Sequence, residues 1–85
     1  MVVVDLYTQT VLSEVQVGKE PKGIALDSEL YIALVANSRD DTVSFIDLDR
    51  FNVISTLRVG KSPAGIAIDQ TTHTAVITSL DNDSI

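Results

Sequence analysis

The stretch VGKEPKGIALD, Val17 to Asp27, returns as VGKSPAGIAID, Val59 to Asp69, 42 positions further along the chain. The match extends outward at the same offset. Asp5 and Leu6 fall on Asp47 and Leu48, Val11 on Val53, Ser13 on Ser55, Ala33 on Ala75 and Asp41 on Asp83. Other pairs keep their character, as Val4 does with Ile46 and Val15 with Leu57, and no gap is needed. A period near 40 residues points to propeller blades or to helical arrays of the HEAT and armadillo kind.

Local composition chooses between them. The apolar residues are mostly Val and Ile set among Thr and Ser, which suits strands, and no segment keeps a helical apolar stripe for three turns. Turn residues recur every eight to twelve positions, the pattern of an all-β chain. One complete unit is predicted to hold four strands, about Gly23 to Leu26, Tyr31 to Ala36, Thr42 to Asp47 and Val53 to Val59. Short polar connectors join them, so consecutive hairpins build a four-stranded antiparallel meander, the form of a β-propeller blade. YIALVAN and VSFI read as strands buried on both faces, VISTLRV as a half-exposed outer strand, and the small residues of GIAL and GIAI as a crowded inner strand.

These residues resemble the YVTN-type β-propeller repeat. The counterparts of its motifs are Leu34-Val35-Ala36-Asn37, Thr42-Val43-Ser44-Phe45-Ile46-Asp47 and Val59-Gly60-Lys61-Ser62-Pro63-Ala64-Gly65-Ile66-Ala67; Ser79 replaces the asparagine in the second copy. The resemblance implies a scaffold found in secreted, periplasmic or cell-surface proteins. Related propellers serve as surface-layer modules, binding domains and supports for redox cofactors, so the fold does not dictate one activity.

The repeat frame is offset from the chain. Residues 1–17 match the outer half of a blade, 18–59 a complete blade and 60–85 the first half of another. The two halves are complementary, and an unpaired strand edge invites pairing. Identical chains are therefore expected to interlock head to tail into a ring, the alternative being that these residues are a piece of a longer propeller chain. Propellers carry roughly four to eight blades, so three or four chains giving six or eight are the expected numbers. A chain of 85 residues buries little surface by itself, and the absence of cysteine removes disulfides as a staple.

Twelve acidic against six basic side chains leave a net charge of −6, which argues against broad binding to nucleic acid or to an anionic membrane. No run of about 20 apolar residues is present to span a bilayer. The loops 17–23, 37–41, 59–65 and 79–83 are expected on one face around the central opening. They carry Lys19, Lys22, Arg39, Asp40, Asp41, Lys61, Asp81 and Asp83, the candidate ligand-binding residues for a protein or small ligand. The acidic loops offer oxygen ligands of the kind calcium takes, but they lack the calcium-loop spacing and read first as turns that bond their own backbone. The lysines with Arg39 form either a basic patch for an anion or solvated turn residues. His73, the only histidine, reads as a surface residue. Gly18 and Gly60 are expected at positive φ, and Asp5 and Asp47 are expected to bond turn amides. No Ser-His-Asp set, Cys-His pair or carboxylate dyad is visible. The sequence therefore points to a non-enzymatic scaffold without cofactor or metal. The alternative is a piece of a propeller enzyme or cofactor-bearing subunit whose active residues come from other blades or chains.

Overall fold

The computed structural model describes residues 1–79 of the 85-residue chain. They form eight strands: β1 (Val2–Asp5), β2 (Thr10–Glu14), β3 (Pro21–Asp27), β4 (Ile32–Asn37), β5 (Thr42–Asp47), β6 (Asn52–Arg58), β7 (Pro63–Asp69) and β8 (Thr74–Ser79), with no helix among the described residues. All pairing is antiparallel. A central four-stranded sheet, in the order β3-β4-β5-β6, stands between the hairpins β1-β2 and β7-β8. The predicted strands lie within two residues of the observed ones, and Thr42 to Asp47 has the same bounds.

Residues opposite each other in an antiparallel pair share a face. The β4–β5 register pairs Ala33 with Ile46 and Val35 with Ser44, and these project toward one side. Leu34 with Phe45 and Ala36 with Val43 project toward the other. The N-terminal hairpin covers the first face, where Val15 joins Ala33, Val35 and Ile46 in a buried cluster flanked by Met1 and Val17. The C-terminal hairpin covers the second face, with Ile68, Ala75 and Ile77 across a cleft from Ile32, Leu34 and Phe45. This explains why IALVAN carries apolar side chains in both directions: from Ala33 to Asn37 every residue of β4 is buried.

The layers are closest at β3 and β7. A Cβ placed on Gly23 would stand 1.9 Å from the backbone oxygen of Ala64, a separation no side chain tolerates. Gly23 is therefore required by close approach. The outer strand β6 departs from expectation, being exposed along its whole length instead of on one face. The reason is that no described strand of the C-terminal hairpin reaches out over it.

Turn chemistry differs at the two ends of the strands. The four links β1-β2, β3-β4, β5-β6 and β7-β8 each span four residues and follow an aspartate. Asp5 Oδ1 accepts from the amides of Tyr7 and Thr8, Asp27 Oδ1 from Glu29 and Leu30, Asp47 Oδ1 from Asp49, and Asp69 Oδ1 from Thr71. The bonds expected of Asp5 and Asp47 are thus present. Each link ends on a left-handed residue, Gln9, Tyr31, Phe51 or His73. At the other end, left-handed backbone falls on Glu20, Asp41 and Ser62, and no glycine has positive φ. This corrects the expectation for Gly18 and Gly60. Gly18 serves packing: a Cβ there would lie 2.6 Å from Asn37 Cγ and 2.7 Å from Asp40 Oδ2.

Gly23→Ala is expected to push β7 off β3 and to destabilise the chain by roughly 1–3 kcal/mol, the usual cost of overpacking. Urea denaturation measures it. An unchanged midpoint would mean that the two strands are not in close contact.

Candidate functional site

Two clusters of polar side chains sit at opposite ends of the central sheet. The first gathers the loops 15–20, 38–41 and 59–62, which the alternation of a meander places together. Asp40 Oδ2 accepts from the Lys19 amide at 2.9 Å, and Asp41 Oδ1 accepts from the Ser62 amide at 2.9 Å. Backbone bonds from Ser38 to Glu20, Arg39 to Lys19 and Val59 to Asp41 complete the ties. Glu20 draws in two cations, Arg39 Nε at 3.3 Å and Lys22 Nζ at 3.5 Å. Exposed pairs of this kind are worth little in stability.

Of the predicted ligand-binding residues, Lys19, Lys22, Arg39, Asp40 and Asp41 are brought together here. Lys61 lies in the adjoining loop, where Ser79 Oγ donates to its backbone oxygen. Asp81 and Asp83 lie outside the described residues. Asp40 and Asp41 each spend a carboxylate oxygen holding a neighbouring loop. Glu20, absent from the predicted set, is the group that collects the basic side chains. Beneath the loops runs a cleft of about 420 Å³ lined by Gln16, Val17, Gly18, Asn37, Asp40 and Thr56 among others. Asn37 is fully buried and donates from Nδ2 to Ser44 Oγ at 2.8 Å and Thr42 Oγ1 at 3.2 Å. Among the described residues, no group of three or more His, Cys, Asp or Glu side chains is placed to hold a metal ion.

The second cluster is built on His73, which is exposed, as its reading as a surface residue has it, and is tied down there by carboxylates. Its Nδ1 donates to Asp27 Oδ2 at 2.6 Å, and its Nε2 lies 3.7 Å from Glu29 Oε2. The Asp27 side chain is only 3% exposed. The pair bridges the turn of one repeat to the turn of the next, and Gln70 Nε2 donates to the Leu26 carbonyl beside it at 2.8 Å. Below them lies a cleft of about 280 Å³, walled by Leu34, Phe45, Leu57, Ile68 and Ile77 among others. A sequence signal for the contact existed. Asp27 and His73 are 46 positions apart, one 42-residue period plus the four residues of a turn.

Asp27 is held below the ordinary carboxylate value, first by the Leu30 amide and next by the hydrogen bond to His73. His73 is raised above the ordinary imidazole value, first by its hydrogen bond to Asp27, against desolvation, and then by the charges of Asp27, Glu29 and Asp69.

No protein-family model matches the chain, and no curated protein matches it. Among solved structures, the chain is similar to the hydrazine synthase of Kuenenia stuttgartiensis, with a TM-score of 0.87 and 33% identity. The match covers 92% of this chain and 22% of that one, so the chain spans about a fifth of the length of the structure it resembles. This likeness overturns the expectation of a protein that is not an enzyme, because the structure matched over 92% of the chain is that of an enzyme.

The His73–Asp27 contact makes stability pH-dependent. The raised histidine contributes fully below its ordinary value of 6.5 and loses that contribution as pH climbs through its folded value. The lowered aspartate contributes fully above its ordinary 3.8 and loses that contribution as pH falls through its folded value. His73→Gln is therefore expected to lower the melting temperature more at pH 5.5 than at pH 8.5. Equal losses at both would show that the pair is not formed in solution.

Proposed function

We propose that the chain is a two-unit stretch of a β-propeller of the YVTN type and forms part of an enzyme, with the reacting groups supplied by other blades or chains. The observation that carries this reading is the likeness to hydrazine synthase, 33% identical and superposing at a TM-score of 0.87 over 92% of the chain. In this reading the central sheet is one blade, β1-β2 the outer half of the blade before it, and β7-β8 the inner half of the blade after it. The 42-residue period, the face-to-face layers and the close approach of β3 to β7 support it, because blades converge on their inner strands. The chain then contributes wall and loop surface. The cluster of Glu20, Arg39 and Asp40 edges the central opening, and the buried strands keep it in place.

Exchanging the matched stretch of the Kuenenia stuttgartiensis hydrazine synthase for this chain tests the proposal. The chimera is expected to fold and to form hydrazine with a loss of no more than about tenfold, or about 1.4 kcal/mol in the barrier. A folded chimera that loses activity a thousandfold would put reacting groups inside this stretch and contradict the division of labour.

A further inference from the structure

We infer that the cleft between residues 16–18 and the outer half of the central sheet binds a primary alkylammonium group, held by the side chains of Asn37 and Asp40. The inference goes beyond the propeller reading and does not rest on it. Both walls of the cleft belong to the described chain, Gln16 to Gly18 on one side and β4 to β6 with their links on the other.

The floor comes first. Asn37 ends β4 and is fully buried. Its Nδ2 donates to Ser44 Oγ at 2.8 Å and to Thr42 Oγ1 at 3.2 Å, which turns Oδ1 away from those hydroxyls. Oδ1 is buried and meets no donor among the described residues. A buried acceptor left unmet opposes folding, so this amide is set for a donor from outside the chain. Asp40 gives Oδ2 to the Lys19 amide at 2.9 Å and keeps Oδ1 to spare. Gly18 borders both groups. A Cβ there would stand 2.6 Å from Asn37 Cγ and 2.7 Å from Asp40 Oδ2, so a side chain at position 18 would fill the space they share.

The walls decide the chemistry of the ligand. Asp40 carries the only charge among the described residues lining the cleft, and no aromatic ring is among them. An anion would meet a carboxylate and no cation. A quaternary ammonium is recognised by aromatic faces. A metal ion wants several ligating side chains, and among the described residues no group of three or more His, Cys, Asp or Glu is placed to hold one. A primary ammonium brings three N–H donors and a positive charge, which answer an amide oxygen, a carboxylate and a hydroxyl together. Thr56 offers the hydroxyl, and Val17 and Val53 offer apolar wall to a short alkyl body. The volume of about 420 Å³ falls in the range of about 300–1,000 Å³ usual for small-molecule sites.

The polar set is particular to this cleft. One period further along, the positions of Gln16, Asn37 and Asp40 are taken by Arg58, Ser79 and Asn82. A contact that served stacking alone would recur with the repeat, as the turn aspartates Asp5, Asp27, Asp47 and Asp69 do.

The test titrates n-propylammonium chloride into the isotope-labelled 85-residue chain and follows the NMR signals of the Asn37 side-chain amide and the Gly18 backbone amide. Saturable shifts in the millimolar range are expected. Tetramethylammonium has the same charge and no N–H, and is expected to bind at least tenfold more weakly. Asp40→Asn removes the charge and keeps an acceptor for the Lys19 amide; Asn37→Ser installs the residue of the second copy. Each is expected to weaken propylammonium at least tenfold, and if Asn37→Ser unfolds the chain, Asp40→Asn decides alone. Absence of saturable shifts, equal binding of tetramethylammonium, or an unchanged affinity in Asp40→Asn would overturn the inference. A free amine and the lysine of a partner protein share this chemistry. Tighter binding of Nα-acetyl-lysine amide than of propylammonium assigns the site to a lysine side chain, and equal or weaker binding assigns it to a free amine.

Discussion

The structure depends on one strand that needs cover on both sides. Strand β4 directs Ala33 and Val35 one way and Leu34 and Ala36 the other, and all four are buried. Burying apolar surface contributes about 25 cal/mol per Å² removed from water. A single sheet can collect that on one face only, so two further layers must lie against it. Those layers are the hairpins, and they come from sequence on either side of the strand. Stacking in both directions is therefore a consequence of IALVAN itself, and the small residues of β3, with Gly23 against Ala64, let the layers converge at one edge.

The polar residues follow from that packing. Stacked sheets leave strand ends and links as the places where chemistry can sit, and the two ends are built differently. At one end aspartates bond the amides of their own turns, and Asp27 has a second oxygen to spare for His73 of the next repeat. At the other end, carboxylates reach across between loops, as Asp40 does to Lys19 and Asp41 to Ser62. Both devices tie one repeat to its neighbour. Of the charged side chains that look like a binding face in sequence, those of Asp40 and Asp41 are thereby occupied in holding the stack.

Much of the fold was legible because the repeat supplies its own comparison. A 42-residue offset marks the strand positions twice, and alternation separates buried from exposed strands. What was not legible depends on neighbours that a linear reading does not bring together. His73 meets Asp27 only across a layer. Strand β6 is exposed throughout because of what lies beside it, not because of its own pattern. The left-handed positions fell on Glu20 and Ser62, where the glycine-first habit looks to Gly18 and Gly60. The likeness to hydrazine synthase likewise leaves no mark in residues whose work is packing, so that comparison carries information the chain's own chemistry does not.

The most direct measurement of two-sided burial is hydrogen exchange along β4. If both hairpins lie on the sheet, the amides from Ala33 to Asn37 exchange last in the molecule, at the rate of global unfolding, and well after those of the exposed β6. Amides of β4 that exchange as fast as those of β6 would show that the layers do not stack, and the architecture built on that strand would fail with them.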